Sequence, residues 1–350
     1  MSDSTEAKWQ FVYMRNVDIG RVAKHNLDNV WNVLGINSSD VACASAAGAY
    51  LAEFVVRTSC AKMFVARLST ICVPSGLDVR LAVREDTAYS PMHPYAHVIP
   101  DSCAVPERAL RALDAHARSS VVRRWGRLYY ATEHTGVRTL IAQTLRAHGL
   151  CVPAHTVHVE RTEPARLVLP ADIVRQRAPN HAILSADHLA ELVPTPTHSR
   201  LVIYTDGAYL PERGSAGIGA YIANSNIPPL AQRVRGRQSA ARAEIQAAQL
   251  ALDHVLQTPR SDQWREIWVC TDSQYVVDAV NVNSETWARA NWVSAKGRPI
   301  ANRREFQLLF AAIRRATTQG HMVFVHHLPA HFDIAGNDVA DTLAKAGALL

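Results

Sequence analysis

From Leu201 onward the apolar residues form three strands in succession and then alternate helices with strands, an order that few sheets can accommodate. Leu201-Val-Ile-Tyr-Thr is a short apolar run ending at Asp206-Gly207. Gly217-Ile-Gly-Ala-Tyr-Ile-Ala is a second such run, and Leu230–Arg235 a third. Ala240–Leu256 is Ala-rich and long enough for a helix. Glu266-Ile-Trp-Val-Cys-Thr is a fourth strand, leading through Asp272 into a helix capped by Ser273. Arg303–Thr317 is a long helix, Met322–His327 a fifth strand, and a last helix starts near Ile334 or Asn337 and runs to Ala348. The order βββαβααβα predicts an α/β sheet with helices on its faces.

The 200 residues before this region have a different texture. Trp9-Gln-Phe-Val-Tyr-Met reads as a strand, Asp18 as the cap of a helix passing Trp31 and Leu34 to Gly35, and Tyr50–Arg57 and Met63–Leu68 as further apolar segments. These predict a small α+β domain over 1–75. Pro74, Pro91, Pro94 and Pro100 mark 76–104 as a linker. Ala109, Leu110, Leu113 and Ala117 form one helical stripe, and Thr139, Leu140, Ala142, Leu145 and Ala147 another, so 105–150 reads as two helices. The stretch between the stripes, Arg123-Arg-Trp-Gly-Arg-Leu-Tyr-Tyr, mixes basic and aromatic groups. That mix suits single-stranded nucleic acid and equally suits a solvated Arg face with aromatics packed inside. Residues 151–199 are Pro-rich and read as an irregular linker with one short helix near Ala186–Leu192. The final domain occupies 200–350, and no internal repeat is present.

Composition narrows the class. With 48% apolar and 19% charged residues over 350 positions, the chain can bury a core and is not a disordered tail. The nearly uncharged run Val41–Val56 contains Glu53 and is too short and Ala-rich to span a bilayer, so no membrane partner is expected. The N-terminus has neither a basic nor an apolar leader region. The six cysteines (Cys43, Cys60, Cys72, Cys103, Cys151, Cys270) include no CxxC pair, which predicts free thiols in a reducing, intracellular compartment and no structural zinc. The net charge of +6 fits an anionic partner. Nothing in the sequence fixes an oligomeric state.

Four acids stand out by position. Asp206 and Asp272 end strands, Glu244 lies one turn into a helix, and Asp341 lies in the last helix. Sites in α/β sheets form at the carboxyl ends of strands. Carboxylates converging there would repel one another and attract hard divalent cations, Mg²⁺ above all. Taken singly, each has a plainer reading: a turn at Asp206-Gly207, exposed helical acids at Glu244 and Asp341, an N-cap at Asp272-Ser273.

The motifs resemble those of type 1 ribonuclease H over about 150 residues. Tyr204-Thr-Asp-Gly-Ala opens the match. Gly236-Arg-Gln-Ser-Ala-Ala-Arg-Ala-Glu, Thr271-Asp-Ser-Gln-Tyr-Val-Val and His327-Leu-Pro-Ala-His-Phe-Asp-Ile-Ala-Gly-Asn-Asp-Val-Ala-Asp follow in family order. The resemblance implies a mixed five-stranded sheet, three strands antiparallel and then parallel, with flanking helices. It implies an enzyme that hydrolyses the RNA strand of RNA–DNA hybrids with two Mg²⁺ ions, or Mn²⁺ in their place, leaving 5′-phosphate and 3′-hydroxyl ends. Asp206, Glu244, Asp272 and Asp341 would be the catalytic metal ligands. Asp338 and Asp333 compete for the fourth position, and the ten-residue interval after His331 favours Asp341. His331 would handle protons and product release. Arg237, Ser239 and Asn302 would hold a DNA-strand phosphate, Gln274 would contact the minor groove, and Tyr275 and Trp287 would line an aromatic channel. Arg289, Lys296 and Arg298 would grip the hybrid, and Trp292 would pack as core.

The sequence departs from the family at informative places. Ala240 and Ala241 stand where Asn or Gln is common, Leu210-Pro-Glu212 replaces a small polar loop, and Ala330 replaces a Gly before His331. The missing amides would help read 2′-hydroxyls. Two other readings follow: a hybrid-binding module with weak or lost catalysis, and a superfamily nuclease acting on DNA. The N-terminal half carries no recognised hybrid-binding domain and is a candidate for binding other nucleic acid. A ribonuclease H-like tail behind such a region also resembles the end of a retroelement polyprotein, although no reverse-transcriptase motif is present.

Overall fold

A computed structural model describes residues 8–15, 31, 34–48, 51–70, 72–74, 80–96, 98–100, 103–153, 193–258, 264–294, 297–328 and 334–350. Two compact units emerge, one made of Met1–Pro94 with Ala117–Ser185, the other of Tyr95–His116 with Ala186–Leu350. No helix among the described residues is long and apolar enough to cross a membrane.

The first unit is built on β1 (Trp9–Arg15), β2 (Val41–Gly48), β3 (Leu51–Arg57) and the short β4 (Cys72–Pro74), β5 (Arg80–Ala82) and β6 (Arg84–Glu85). An antiparallel sheet of order β2-β3-β1-β6 forms its centre, and β4 pairs separately with β5. Alternation along the strands splits its side chains between two faces. Val12, Met14, Ala52, Phe54 and Val56 pack with Trp31, Leu34 and the helix α1 (Ala61–Leu68) through Phe64 and Leu68. Trp9, Phe11 and Val55 pack on the opposite face with Val121, Trp125, Val137, Ile141 and Leu145.

Those last residues come from α2 (Glu107–Ala131) and α3 (Thr135–Ala147). The basic-aromatic stretch lies within α2 and not between helices. Arg123 and Arg127 are exposed, whereas Arg124 and Trp125 point into the unit. There they meet Glu53, which is 1% exposed. Arg124 forks onto it at 3.0 and 2.9 Å, the Trp125 indole donates at 3.0 Å, Tyr13 at 3.0 Å and Ser45 at 3.2 Å. Strand register sets the last two contacts, because Tyr13 and Ser45 both lie opposite Glu53. A buried carboxylate is tolerable only when it is paired and hydrogen-bonded in this way.

The expected boundaries shift accordingly. The segment 76–104 is not simply a linker, because β5 and β6 lie in it and β6 closes the first sheet against β1. Strands of two or three residues are too short for their alternation to register in the sequence. The region 105–150 contains the two helices but is no domain of its own, since the division between units falls within α2. A continuous apolar stripe does not show that its first turns cover one core and its later turns another. The helix expected after Asp18, apart from its end near Trp31 and Leu34, and the one near Ala186–Leu192 lie outside the described residues.

The second unit contains β7 (Arg200–Leu210), β8 (Ser215–Ile222), β9 (Leu230–Arg233), α4 (Ala240–Leu256), β10 (Glu266–Thr271), α5 (Gln274–Asp278), α6 (Ser284–Arg289), α7 (Arg303–Thr318), β11 (Met322–His327) and α8 (Ala335–Leu349), with a π-turn at Ala279–Asn283. Its sheet has the order β11-β10-β7-β8-β9. The meander β7-β8-β9 is antiparallel, and β10 and β11 continue it in parallel, as expected. Leu201, Ile203, Ile222, Ile267 and Val269 pack with Ile245, Leu252, Phe306 and Leu309 of α4 and α7. The other face of the sheet receives α8 at backbone contact. A Cβ on Gly217 would meet Ala348 N at 2.0 Å, and one on Gly219 would meet Ala340 O at 2.0 Å. The outer side of α8, at Val339, Leu343 and Ala346, is covered by Ala109 and Leu113 with Tyr95, Val98 and Val105. The segment 95–116 therefore completes the core of this unit.

Two truncations test these cores in urea unfolding of the full chain. Glu53→Ala strands the Arg124 charge and should cost about 3–5 kcal/mol. Leu113→Ala should lower the stability of the second unit by roughly 2–5 kcal/mol. A loss well below 1 kcal/mol in either would contradict the packing described.

Candidate active site

Asp206 does not end its strand as expected, because β7 continues to Leu210. The Asp-Gly pair is instead a point of close approach. A Cβ on Gly207 would meet Glu244 N at 2.2 Å and Ala243 C at 2.5 Å, so only glycine lets α4 rest its second turn on the strand. Ser239 starts that helix, its hydroxyl accepting the Arg242 amide at 3.4 Å. The parallel register of β7 and β10 pairs Thr205 with Thr271, and Asp272 follows at the strand end beside Asp206.

These three elements bring one carboxylate oxygen each from Asp206, Glu244 and Asp272 within 4.8 Å of one another. Asp206 is 7% exposed. Burial, followed by the charges of Asp341 and Asp272, raises its carboxyl pKa well above the ordinary value. Glu244 is raised likewise, by burial and then by Asp206 and Asp272. A hydrogen bond from the Gly207 backbone opposes the rise in both. Glu244 Oε2 is buried without a hydrogen-bond partner. A buried oxygen of this kind, in a set of converging carboxylates, fits a hard divalent cation.

Asp341 lies outside this group of three. It comes from α8, is close enough for its charge to act on Asp206, and accepts a hydrogen bond from Lys345 one turn later. The same helix contributes Asn337, whose Nδ2 donates to Asp272 Oδ2 at 3.5 Å and whose buried Oδ1 has no partner. Asn337 received no role from the sequence, although it stands four residues before Asp341 and so shares its helix face. His331, Asp333, Ala330 and Lys296 lie outside the described residues.

The remaining candidates surround this centre. Asn302 precedes α7 with a left-handed φ of 54°, and Arg237 is exposed just before Ser239. Tyr275 and Trp287 meet the same ring, Phe306, at 5.2 and 5.3 Å between centroids. Tyr275 is exposed and its hydroxyl donates to Ala301 O at 3.2 Å, whereas Trp287 is half-buried in the core. Trp292 packs half-buried against Trp287 and Phe310, as expected. Gln274 is exposed and donates to Asp278 at 2.6 Å. Arg289 is exposed and paired with Glu285. Two supporting groups had not been expected. Gln246 clamps the Arg235 backbone through both its N–H and its carbonyl at 3.0 Å, and Arg242 pairs with Glu305 at 3.2 Å. Isolated polar residues on a helix carry no sequence signal for contacts of that kind.

The sequence model of the RNase H family matches residues 198–349. Ribonuclease H of Symbiobacterium thermophilum is 32% identical over 147 residues, covering 42% of this chain and 92% of that protein. Human Ribonuclease H1 is 30% identical over 151 residues, and the chain spans 50% of its length. A solution structure of the PFV RNase H domain aligns at 24% identity with a TM-score of 0.33, covering 42% of this chain and 93% of that one.

The raised carboxyls give a signed pH dependence. In EDTA, the folded state holds protons that the unfolded state releases. The stability contributed by Asp206 and Glu244 is fully present below the ordinary carboxyl pKa of about 4 and is lost as pH rises through their raised values. Asp206→Asn should therefore raise the thermal midpoint in EDTA near pH 8 and flatten its decline from about pH 5. An unchanged midpoint would contradict the repulsion. Gly207→Ala should push α4 off β7 and reduce divalent-cation binding measured by calorimetry, and binding equal to wild type would contradict the close approach.

Proposed function

The chain belongs to the ribonuclease H family through residues 198–349, and from that premise we propose that it hydrolyses the RNA strand of RNA–DNA hybrids, leaving 5′-phosphate and 3′-hydroxyl ends. The observation that carries this reading is the convergence of Asp206, Glu244 and Asp272 within 4.8 Å, from three separate elements. Asp206, Glu244, Asp272 and Asp341 would hold two Mg²⁺ ions, with Mn²⁺ able to substitute. Divalent ions bound there supply Lewis-acid polarisation of the scissile phosphate and neutralise developing charge.

The chain's own groups would position the substrate around that centre. Asn337 holds the Asp272 carboxylate in orientation through its amide. The exposed Tyr275 ring, backed by Phe306, offers a planar face to a sugar or base of the DNA strand, with Trp287 behind the same ring. Arg237, Ser239 and Asn302 would fix a DNA phosphate, which positions the hybrid without reading its sequence. Gln274 would reach the minor groove, and His331 would transfer protons, having a side chain whose ordinary pKa lies near neutrality.

One observation favours a second reading. Ala240 and Ala241 are exposed at the start of α4 and offer no amide to a 2′-hydroxyl, which suits a hybrid-binding module of low activity. Incubating the full chain with a hybrid end-labelled on each strand in turn separates the two. Cleavage confined to the RNA strand, abolished by EDTA and reduced about 10²–10³-fold or more in kcat by Asp272→Asn, is the expected result. Hybrid binding without cleavage supports the binding module. Cleavage of the DNA strand, or an unchanged rate in Asp272→Asn, overturns the proposal.

A further inference from the structure

Lys345 stands one turn after Asp341 on α8, and its Nζ donates to Asp341 Oδ2. An i,i+4 pair on a solvated helix face contributes little, about 0.3–0.5 kcal/mol. The surroundings of this pair are different. Its carboxylate is the one acid expected at the centre that stands outside the group of Asp206, Glu244 and Asp272. The field of Lys345 also reaches the buried Asp206, where it counters the repulsion from Asp341 and Asp272. In the other direction, burial works against the ammonium, but Asp341, Asp206 and Asp338 outweigh it and raise its pKa above the ordinary value. Lys345 therefore carries a permanent positive charge at the edge of an acidic cluster, on a side chain that is 45% exposed. A flexible, strongly hydrated ammonium can leave such a pair for water with little steric hindrance.

We propose that Lys345 is a resident counter-ion of the catalytic acids, which occupies Asp341 until a divalent cation claims it and thereby sets the affinity of the site for that cation. This rests on the reading of the acids as a divalent-cation site. No proton is gained or lost in the exchange. The ammonium moves to solvent, the carboxylate is released, and the charge of the cluster is balanced by the incoming ion. Two consequences follow from the same charge. Lys345 steadies the acids when no divalent ion is present, and it weakens cation binding by the cost of breaking its pair.

The test measures binding, not turnover. Calorimetric titration of the full-length wild type, Lys345→Met and Lys345→Arg with MnCl₂ near pH 8 gives the affinities. Thermal unfolding in EDTA gives the steadying effect. Lys345→Met should bind Mn²⁺ about two- to fivefold tighter, as expected for loss of one competing ion pair. It should also melt lower than wild type in EDTA, with the gap closing at saturating Mn²⁺. Lys345→Arg should stay close to wild type in both measurements. Equal or weaker Mn²⁺ binding by Lys345→Met, beside measurable wild-type binding, overturns the counter-ion role alone. No Mn²⁺ binding by the wild type overturns it together with the metal reading beneath it.

Discussion

Three carboxylates held within 4.8 Å repel one another, and the second unit is arranged to withstand that repulsion. Asp206 stands in the central strand of five, Asp272 at the end of the strand beside it, and Glu244 on a helix pressed against the first. None of these supports can relax without unpacking a core that includes Ile203, Ile245 and Val269. The energy of burial and strand pairing thus keeps like charges together in a place where they would otherwise separate. Concentrated negative charge of this kind is what makes such a site attractive to a divalent cation.

Glycine determines how closely the supports approach. Gly207 admits α4 on one face of the sheet, and Gly217 and Gly219 admit α8 on the other. The two helices bring Glu244 from one side and Asn337 with Asp341 from the other, so the strand that carries Asp206 is flanked by acids and an amide from both faces. The covering of α8 by Ala109, Leu113 and the residues around them extends this arrangement outward, because the helix that carries Asn337 and Asp341 is itself packed on two sides.

Glu53 in the first unit shows what a buried acid looks like when its role is structural. Its two oxygens take donors from Arg124, Trp125, Tyr13 and Ser45, and it fastens α2 to the sheet. Its charge also helps push the Cys43 thiol, already disfavoured as thiolate by burial, up to about 12. Glu244 is the opposite case, with one buried oxygen left unpartnered. The same residue type has its lone pairs filled in one unit and one left available in the other, as a cation ligand requires.

The sequence by itself determined the order of the strands β7 to β11, the helix limits of α4 and the strands at Glu266–Thr271 and Met322–His327. Those elements are long and periodic, and local apolar pattern suffices to define them. The motifs also marked Asp206, Glu244 and Asp272. Only tertiary structure decided that β7 runs on past Asp206, that Asp341 is paired with Lys345, and that Asn337 reaches Asp272. The same holds for the Arg124-Trp125 stretch, whose inward turn depends on a glutamate 71 residues away. It holds too for the division of α2 between two units and the entry of β6 into the first sheet. Local pattern records which face of an element is apolar. It does not record which distant element covers that face or fills a carboxylate, because those contacts depend on the packing of the whole chain.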